Sequence, residues 1–151
     1  MHLSEEIAGF LTSPVMIVTG TSDRANRPAA GRGLGIAMAG PDSFDLVLSG
    51  WQWAETVANI RLGSTLAVTA ARPSDYVSYQ VKGPAVLRLL DDRMAKVAAA
   101  YRADIRLVLG DLGVPGHMID EWTVDRDPVV ARLTVREAYV QTPGPRAGTV
   151  L

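Results

Sequence analysis

The chain has 151 residues, enough for one domain and too few for two well-built cores. Lys and Arg total 15 against 16 Asp and Glu, and a net charge of -1 gives no general pull toward nucleic acid or an anionic membrane, so neither is an expected partner. Cysteine is absent and His2 and His117 are the only histidines, which excludes thiol nucleophiles, disulfides, cysteine zinc sites and multi-histidine metal centres.

A hydrophobic fraction of 48% with 21% charged residues describes a globular chain with a core to fill. The opening Met1-His2-Leu3-Ser4-Glu5-Glu6 is acidic where a secretory signal would be basic, and no apolar run approaches the roughly 20 residues that span a bilayer. The expectation is a cytoplasmic protein of one domain over residues 1–151, with a barrel at about 14–141 and a Pro/Gly-rich tail at 142–151.

In chain order, Ser4 is placed to cap a short helix over 3–11, with Glu5 and Glu6 in the first turn and Ile7, Phe10 and Leu11 at helical spacing. Pro14 stops it. The β-branched run Val15 to Thr19 predicts a strand, and Asp23, Asn26 and Pro28 predict the turn after it. The return strand, 29–39, alternates Gly31, Gly33 and Gly35 with Arg32, Leu34 and Ile36. Strand alternation then puts the glycines on one face and leaves that face bare for something flat or bulky. After the Gly40-Pro41-Asp42 turn, Phe44, Leu46 and Leu48 alternate in a third strand that ends at Ser49-Gly50.

Val57, Ile60 and Arg61 with Gly63 as a stop predict a helix over 53–62. Two β-rich runs follow, 64–71 and 77–90, the second crossed by Gly83-Pro84, where the lost ladder donor calls for a bulge or an edge. From Asp91 the apolar residues Met94, Val97, Ala98, Tyr101, Ile105, Val108 and Leu109 repeat at three and four, which predicts the main helix, broken near Asp104. A short helical turn at 116–122 and a last alternating strand at 128–140 complete the chain. Six strands with few helices between them predict a mainly β, α+β fold: a six-stranded antiparallel barrel with flanking helices.

Little in the sequence carries chemistry alone. Gly31-Arg32-Gly33-Leu34-Gly35 lacks the spacing and the following helix of a dinucleotide motif, so its glycines serve either barrel curvature or a cofactor face. Arg32, among small residues, is either a bidentate phosphate grip or a solvated strand arginine. The junction Ser49-Gly50-Trp51-Gln52-Trp53 offers a hydroxyl, backbone N–H groups and a helix N-terminus to an anion, while its two tryptophans equally suit packing or a subunit interface. No Gly-x-Ser-x-Gly elbow occurs, and Asp91-Asp92 and Asp120-Glu121 read as a helix start and a solvated turn. With so few acid-base groups, a borrowed cofactor is the economical source of reactivity.

Several segments in succession carry a resemblance. They are Ser13-Pro14 before a β-run, Asn26-Arg27-Pro28, the glycine-rich strand with Arg32, Leu48-Ser49-Gly50, and Ala58-Asn59-Ile60. Ala67-Val68-Thr69, Tyr76 to Gly83, and a late strand into Gln141-Thr142-Pro143-Gly144 follow in order. Over residues 13–144 this resembles the pyridoxamine 5'-phosphate oxidase-like family of flavin-binding split barrels. The resemblance implies a split-barrel homodimer with FMN at the dimer interface. Arg32, Gly33, Leu34 and Gly35 would lie along the ring and ribityl chain, and Ser49, Gly50, Trp51 and Gln52 near the phosphate. Ser78, Gln80 and Lys82 would stand beside the site, with Trp122 and Gln141 approaching from the second subunit. The family's Arg-Lys pair before the following helix is replaced here by Gln52-Trp53, which leaves Arg32, Arg61 or Lys82 to hold the phosphate. The expected function is an FMN-dependent oxidoreductase acting on a small-molecule substrate or electron donor. The alternative is a non-catalytic protein that holds a flavin, a deazaflavin, haem or another flat ligand on the same barrel. No catalytic residue and no metal site are assigned.

Overall fold

The computed structural model describes residues 1–151. Its elements are α1 (Glu5–Leu11), β1 (Met16–Ser22), β2 (Pro28–Gly40), β3 (Ser43–Ser49), α2 (Ala54–Arg61), β4 (Thr65–Ala71), β5 (Ser78–Leu89), α3 (Asp92–Asp111), α4 (Gly116–Trp122), β6 (Pro128–Thr134) and β7 (Glu137–Val140). Antiparallel pairing runs β1–β2–β3–β6–β5–β4 and returns from β4 to β1, closing a six-stranded barrel, with β7 as an extra strand on β5. Closure leaves no barrel strand with a free edge, the usual hazard of an antiparallel sheet.

The interior holds an 18-residue cluster that includes Ile17, Ile36, Phe44, Leu46, Leu48, Leu66, Val68, Val81 and Leu133. Helix α1, which precedes β1, adds Ile7 and Leu11 at one end of the barrel, and α2, which follows β3, adds Val57 and Ile60 at the other. Both sequence-predicted caps are present: Ser4 Oγ accepts from Ile7 N at 3.3 Å and Asp91 Oδ1 from Met94 N at 2.8 Å. On the outside, Met94 and Ala98 of α3 pack on Leu34, Val47 and Val130, so α3 covers β2, β3 and β6.

Three expectations are corrected. Helix α3 runs 20 residues without a break at Asp104, which is exposed and whose weak propensity costs little without a proline or glycine beside it. The final strand is split at Val135–Arg136, where the amides turn to Asp42 O and Lys82 O, and the register against β5 shifts between β6 and β7. Gly83 serves that split: a Cβ there would collide with the carbonyl of Thr134. The strand therefore continues through Gly83-Pro84 but exchanges β4 for β6 as its partner.

The third correction concerns the glycine face. The β2–β3 register jumps between Gly33 and Ile36, with Gly35 at φ +116°, a conformation that glycine adopts without strain. The jump reverses the alternation. Gly35 faces outward onto Val97 and Tyr101, while Gly33 faces the barrel interior, where an added Cβ would lie 2.5 Å from Leu46 and 2.6 Å from Ile17. The glycines therefore do not line one face, and the side of Gly33 is filled by core rather than left bare.

Candidate functional site

Helix α3 covers β2 from Leu34 onward, and the outer face over 30–32 of β2, 18–20 of β1, and β4, β5 and β7 is left without a covering helix. Strand pairing aligns Arg32, Val18, Thr69, Gln80 and Tyr139 in one row across it, and Ala30, Gly20, Ala67, Lys82 and Glu137 in the next. Directly paired residues of antiparallel strands present their side chains on the same side. The middle of this face is small or apolar and partly exposed, with Val18 39% accessible and Gly20, Ala67 and Thr69 half-buried. It is a flat floor.

A cation stacked on an aromatic ring stands at each rim. The Arg32 guanidinium lies over the Trp122 ring, 4.7 Å from its centroid, and the Lys82 Nζ lies 4.9 Å from the centroid of Tyr139. Arg32 on β2 and the Gln80–Lys82 stretch on β5 are three strand spacings apart, about 14 Å. One phosphate is too small to be gripped by both. Between them Gln80 donates from Nε2 to Thr69 Oγ1 at 2.9 Å, which leaves its amide oxygen available on the floor.

The β3–α2 junction is occupied by the chain itself. Ser49 is fully buried; its hydroxyl donates to Arg126 O at 2.9 Å and accepts from Gln52 N at 3.2 Å. Gly50 N donates to Asp127 O at 2.9 Å, and Gln52 Nε2 to Glu121 O at 2.7 Å. Trp51, 51% accessible, stacks under Arg126 at 4.7 Å. These residues clamp the loop between α4 and β6, so Ser49 and Gly50, which the sequence points toward a phosphate, have their donors engaged. The first turn of α2 carries Glu55, which adds negative charge close to this junction. Trp53 turns inward toward Gly31, with its Cγ 3.1 Å from where a Gly31 Cβ would be.

On β5, Ser78 is buried, its amide donating to Thr142 Oγ1 at 3.0 Å and its carbonyl accepting from Gln141 N at 2.8 Å. Within a single chain Trp122 thus already meets Arg32, and Gln141 already meets Ser78. The expected residues fall into groups. Arg32 with Trp122, and Gln80 with Lys82, bound the open face; Ser49 to Gln52 bind the 121–127 loop; Ser78 and Gln141 anchor the tail; Gly33 and Leu34 pack into the interior and against α3, and Gly35 lies under α3. Val18, Gly20, Ala67 and Thr69 of the floor are not among the site residues expected from the sequence, although Ala67-Val68-Thr69 is one of the segments that carry the resemblance and 65–71 alternates small outward residues with Leu66, Val68 and Ala70 inward.

Tyr101 of α3 donates its hydroxyl to Val15 O at 2.8 Å, and burial raises its pKa, against an opposing pull from the Arg32 guanidinium. No group of three or more His, Asp or Glu side chains is placed to hold a metal ion, and no helix is long and apolar enough to cross a membrane.

No family model matches this chain, and no curated protein does. Solved structures match its shape. One, from Lactobacillus delbrueckii and provisionally described as a pyridoxamine 5'-phosphate oxidase, is 19% identical over 92% of this chain and 94% of that one, with a TM-score of 0.60. An F420 reductase is 12% identical over 90% of this chain and 98% of that one, with a TM-score of 0.57. HutZ of Vibrio cholerae, described as a haem storage protein, is 15% identical over 93% of this chain and 95% of that one, with a TM-score of 0.50. With a closed antiparallel barrel, an added strand on β5 and helices at both ends, the chain has the pyridoxamine 5'-phosphate oxidase-like split-barrel fold.

Proposed function

We propose that this chain binds a flat tricyclic cofactor of the flavin type, FMN or a deazaflavin, on the open sheet face and acts as an oxidoreductase on a small organic substrate or electron donor. The observation that carries the reading is the floor of Val18, Gly20, Ala67 and Thr69, bounded by Arg32–Trp122 at one rim and Lys82–Tyr139 at the other. Small side chains let a planar ring approach the sheet closely, and the half-exposed floor stabilises it by apolar burial. The Arg32 guanidinium lies over Trp122 and makes no ion pair within the chain, so its N–H groups remain free to donate to an anion. Gln80 and Thr69 supply polar atoms at mid-floor. Such a cofactor supplies hydride-transfer chemistry that this chain's own side chains lack. A second copy of the chain, laid on the same face, would exclude water from the other side of the ring, so a homodimer belongs to this proposal.

The engaged donors at Ser49 and Gly50, and Glu55 beside them, favour a second reading, in which the face stores haem or another flat ligand without turnover. The visible spectrum of the purified protein, with and without added FMN, separates the two. A flavin band bleached by a reduced nicotinamide is the expected result, a Soret band would establish the second reading, and no band after titration with FMN, deazaflavin and haemin would overturn both.

A further inference from the structure

A second cavity lies away from the open face. It is a cleft of about 580 Å³ at the barrel end closed by α1, lined by Ile7, Val77, Tyr79 and Val140 and by the tail residues Pro143 and Pro145. Its volume falls in the range of sites that hold small molecules. Tyr79 alternates with Gln80 and Lys82 along β5, so it and Val140, its partner on β7, turn from the open face toward this end. The two sites are separate.

The tail wall is fixed rather than frayed. Gln141 N and Thr142 N donate to Ser78 O, Ala147 N to Gly144 O and Gly148 N to Val140 O, and Tyr139 bridges to Val150. Two prolines add stiffness, so little ordering entropy is lost when something enters. The floor is apolar: Ile7 and Val140 are buried and Val77 is half-buried.

Two charged side chains line the same cleft, one of each sign, and neither is in an ion pair. Arg146 forms no ion pair, and Glu6 has no cationic partner and meets only the Tyr79 hydroxyl, at a long 3.5 Å. From an apolar floor between a free carboxylate and a free guanidinium, we infer that this cleft binds a small zwitterion with apolar side chains, of dipeptide size, its ammonium toward Glu6 and Tyr79 and its carboxylate toward Arg146.

Leucyl-leucine is the probe, titrated into the uniformly labelled protein and followed by amide shifts and calorimetry. The expected result is saturable shifts confined to Glu6, Ile7, Val77, Tyr79, Val140, Gly144 and Arg146. Because both charges are exposed, Glu6→Gln and Arg146→Gln are each expected to weaken binding about threefold to fivefold. N-acetyl-leucyl-leucine amide, which lacks both charges, should bind about tenfold more weakly or worse on the same grounds. Equal binding of the blocked peptide, no loss in either variant, or no saturable shift at about 10 mM, well above a millimolar dissociation constant, would overturn the inference. Because the cleft and the open face share no lining residue, failure here leaves the cofactor reading intact, and the spectrum of added FMN tests that reading alone.

Discussion

Arg32 on β2 and Trp122 at the end of α4 stack with the guanidinium 4.7 Å from the ring centroid. The contact joins the rim of the open sheet face to the helical layer beside it and holds a cation, half-buried, at the edge of a flat floor. A guanidinium held over an indole loses little side-chain entropy when it takes an anion as well.

Arg32→Gln is therefore expected to weaken FMN about tenfold, the lower end of what a charge-assisted hydrogen bond contributes, because the site is only half-buried. Riboflavin, which lacks the phosphate, should lose far less. Titration of both ligands into both proteins checks this. Equal losses would assign Arg32 to the ring, and no loss to either would put the anion elsewhere, with Lys82 next.

Gly33 and Gly20 separate fold from floor. Gly33→Ala drives a methyl into Leu46 and Ile17, at 2.5 and 2.6 Å, and is expected to destabilise by about 1–3 kcal/mol. Its Tm should fall by several degrees. At Gly20 the nearest atom to an added Cβ is Ala67 Cβ at 3.9 Å, so Gly20→Ala should leave Tm nearly unchanged while raising the floor under the ring. Thermal melts and FMN titrations on the two variants read both effects. A Gly20→Ala protein with unaltered ligand affinity would move the ring off this part of the sheet.

Tyr101 fixes the pH response at alkaline values. Its pKa is raised in the folded chain, chiefly by burial, above the ordinary value of 10.0 that it recovers on unfolding. The neutral phenol's contribution is thus complete below pH 10 and is lost as pH climbs toward the higher folded value. Tyr101→Phe removes the hydrogen bond to Val15 O, at a cost of about 1 kcal/mol, and should flatten that alkaline fall. Denaturant midpoints measured across pH 9 to about 11, the range in which phenols ionise, give the comparison. An identical fall in both proteins would assign the alkaline limb to other groups.

The exposed floor bears on assembly. Sedimentation equilibrium at micromolar concentration is expected to give twice the 16.1 kDa chain mass. Thr69→Glu, in the middle of its row, should shift that toward the single chain, since a carboxylate buried there between two copies has Val18 and Gln80 directly beside it and no cation opposite. A wild-type monomer would remove the dimer and any site that depends on it.

The sequence alone determined the local elements. Ser4 and Asp91 mark helix starts because a short oxygen-bearing side chain satisfies an unpaired amide wherever the chain turns helical, and both do so in the structure. Alternation placed Phe44, Leu46 and Leu48 on one strand, and all lie in the core. The barrel itself was also legible, from the number and spacing of the strands. What only tertiary structure decided is which side of a strand faces where once a bulge intervenes. Gly35 reverses β2 because Val97 and Tyr101 of a distant helix lie against it, and nothing next to Gly35 in the chain signals that packing. The floor has the same origin: Val18, Thr69 and Gln80 become neighbours through strand pairing alone, which is set by closure of the whole barrel. Likewise Ser49 loses its availability to the Arg126 carbonyl, a partner far along the chain that buries the hydroxyl only when the loop before β6 closes over it.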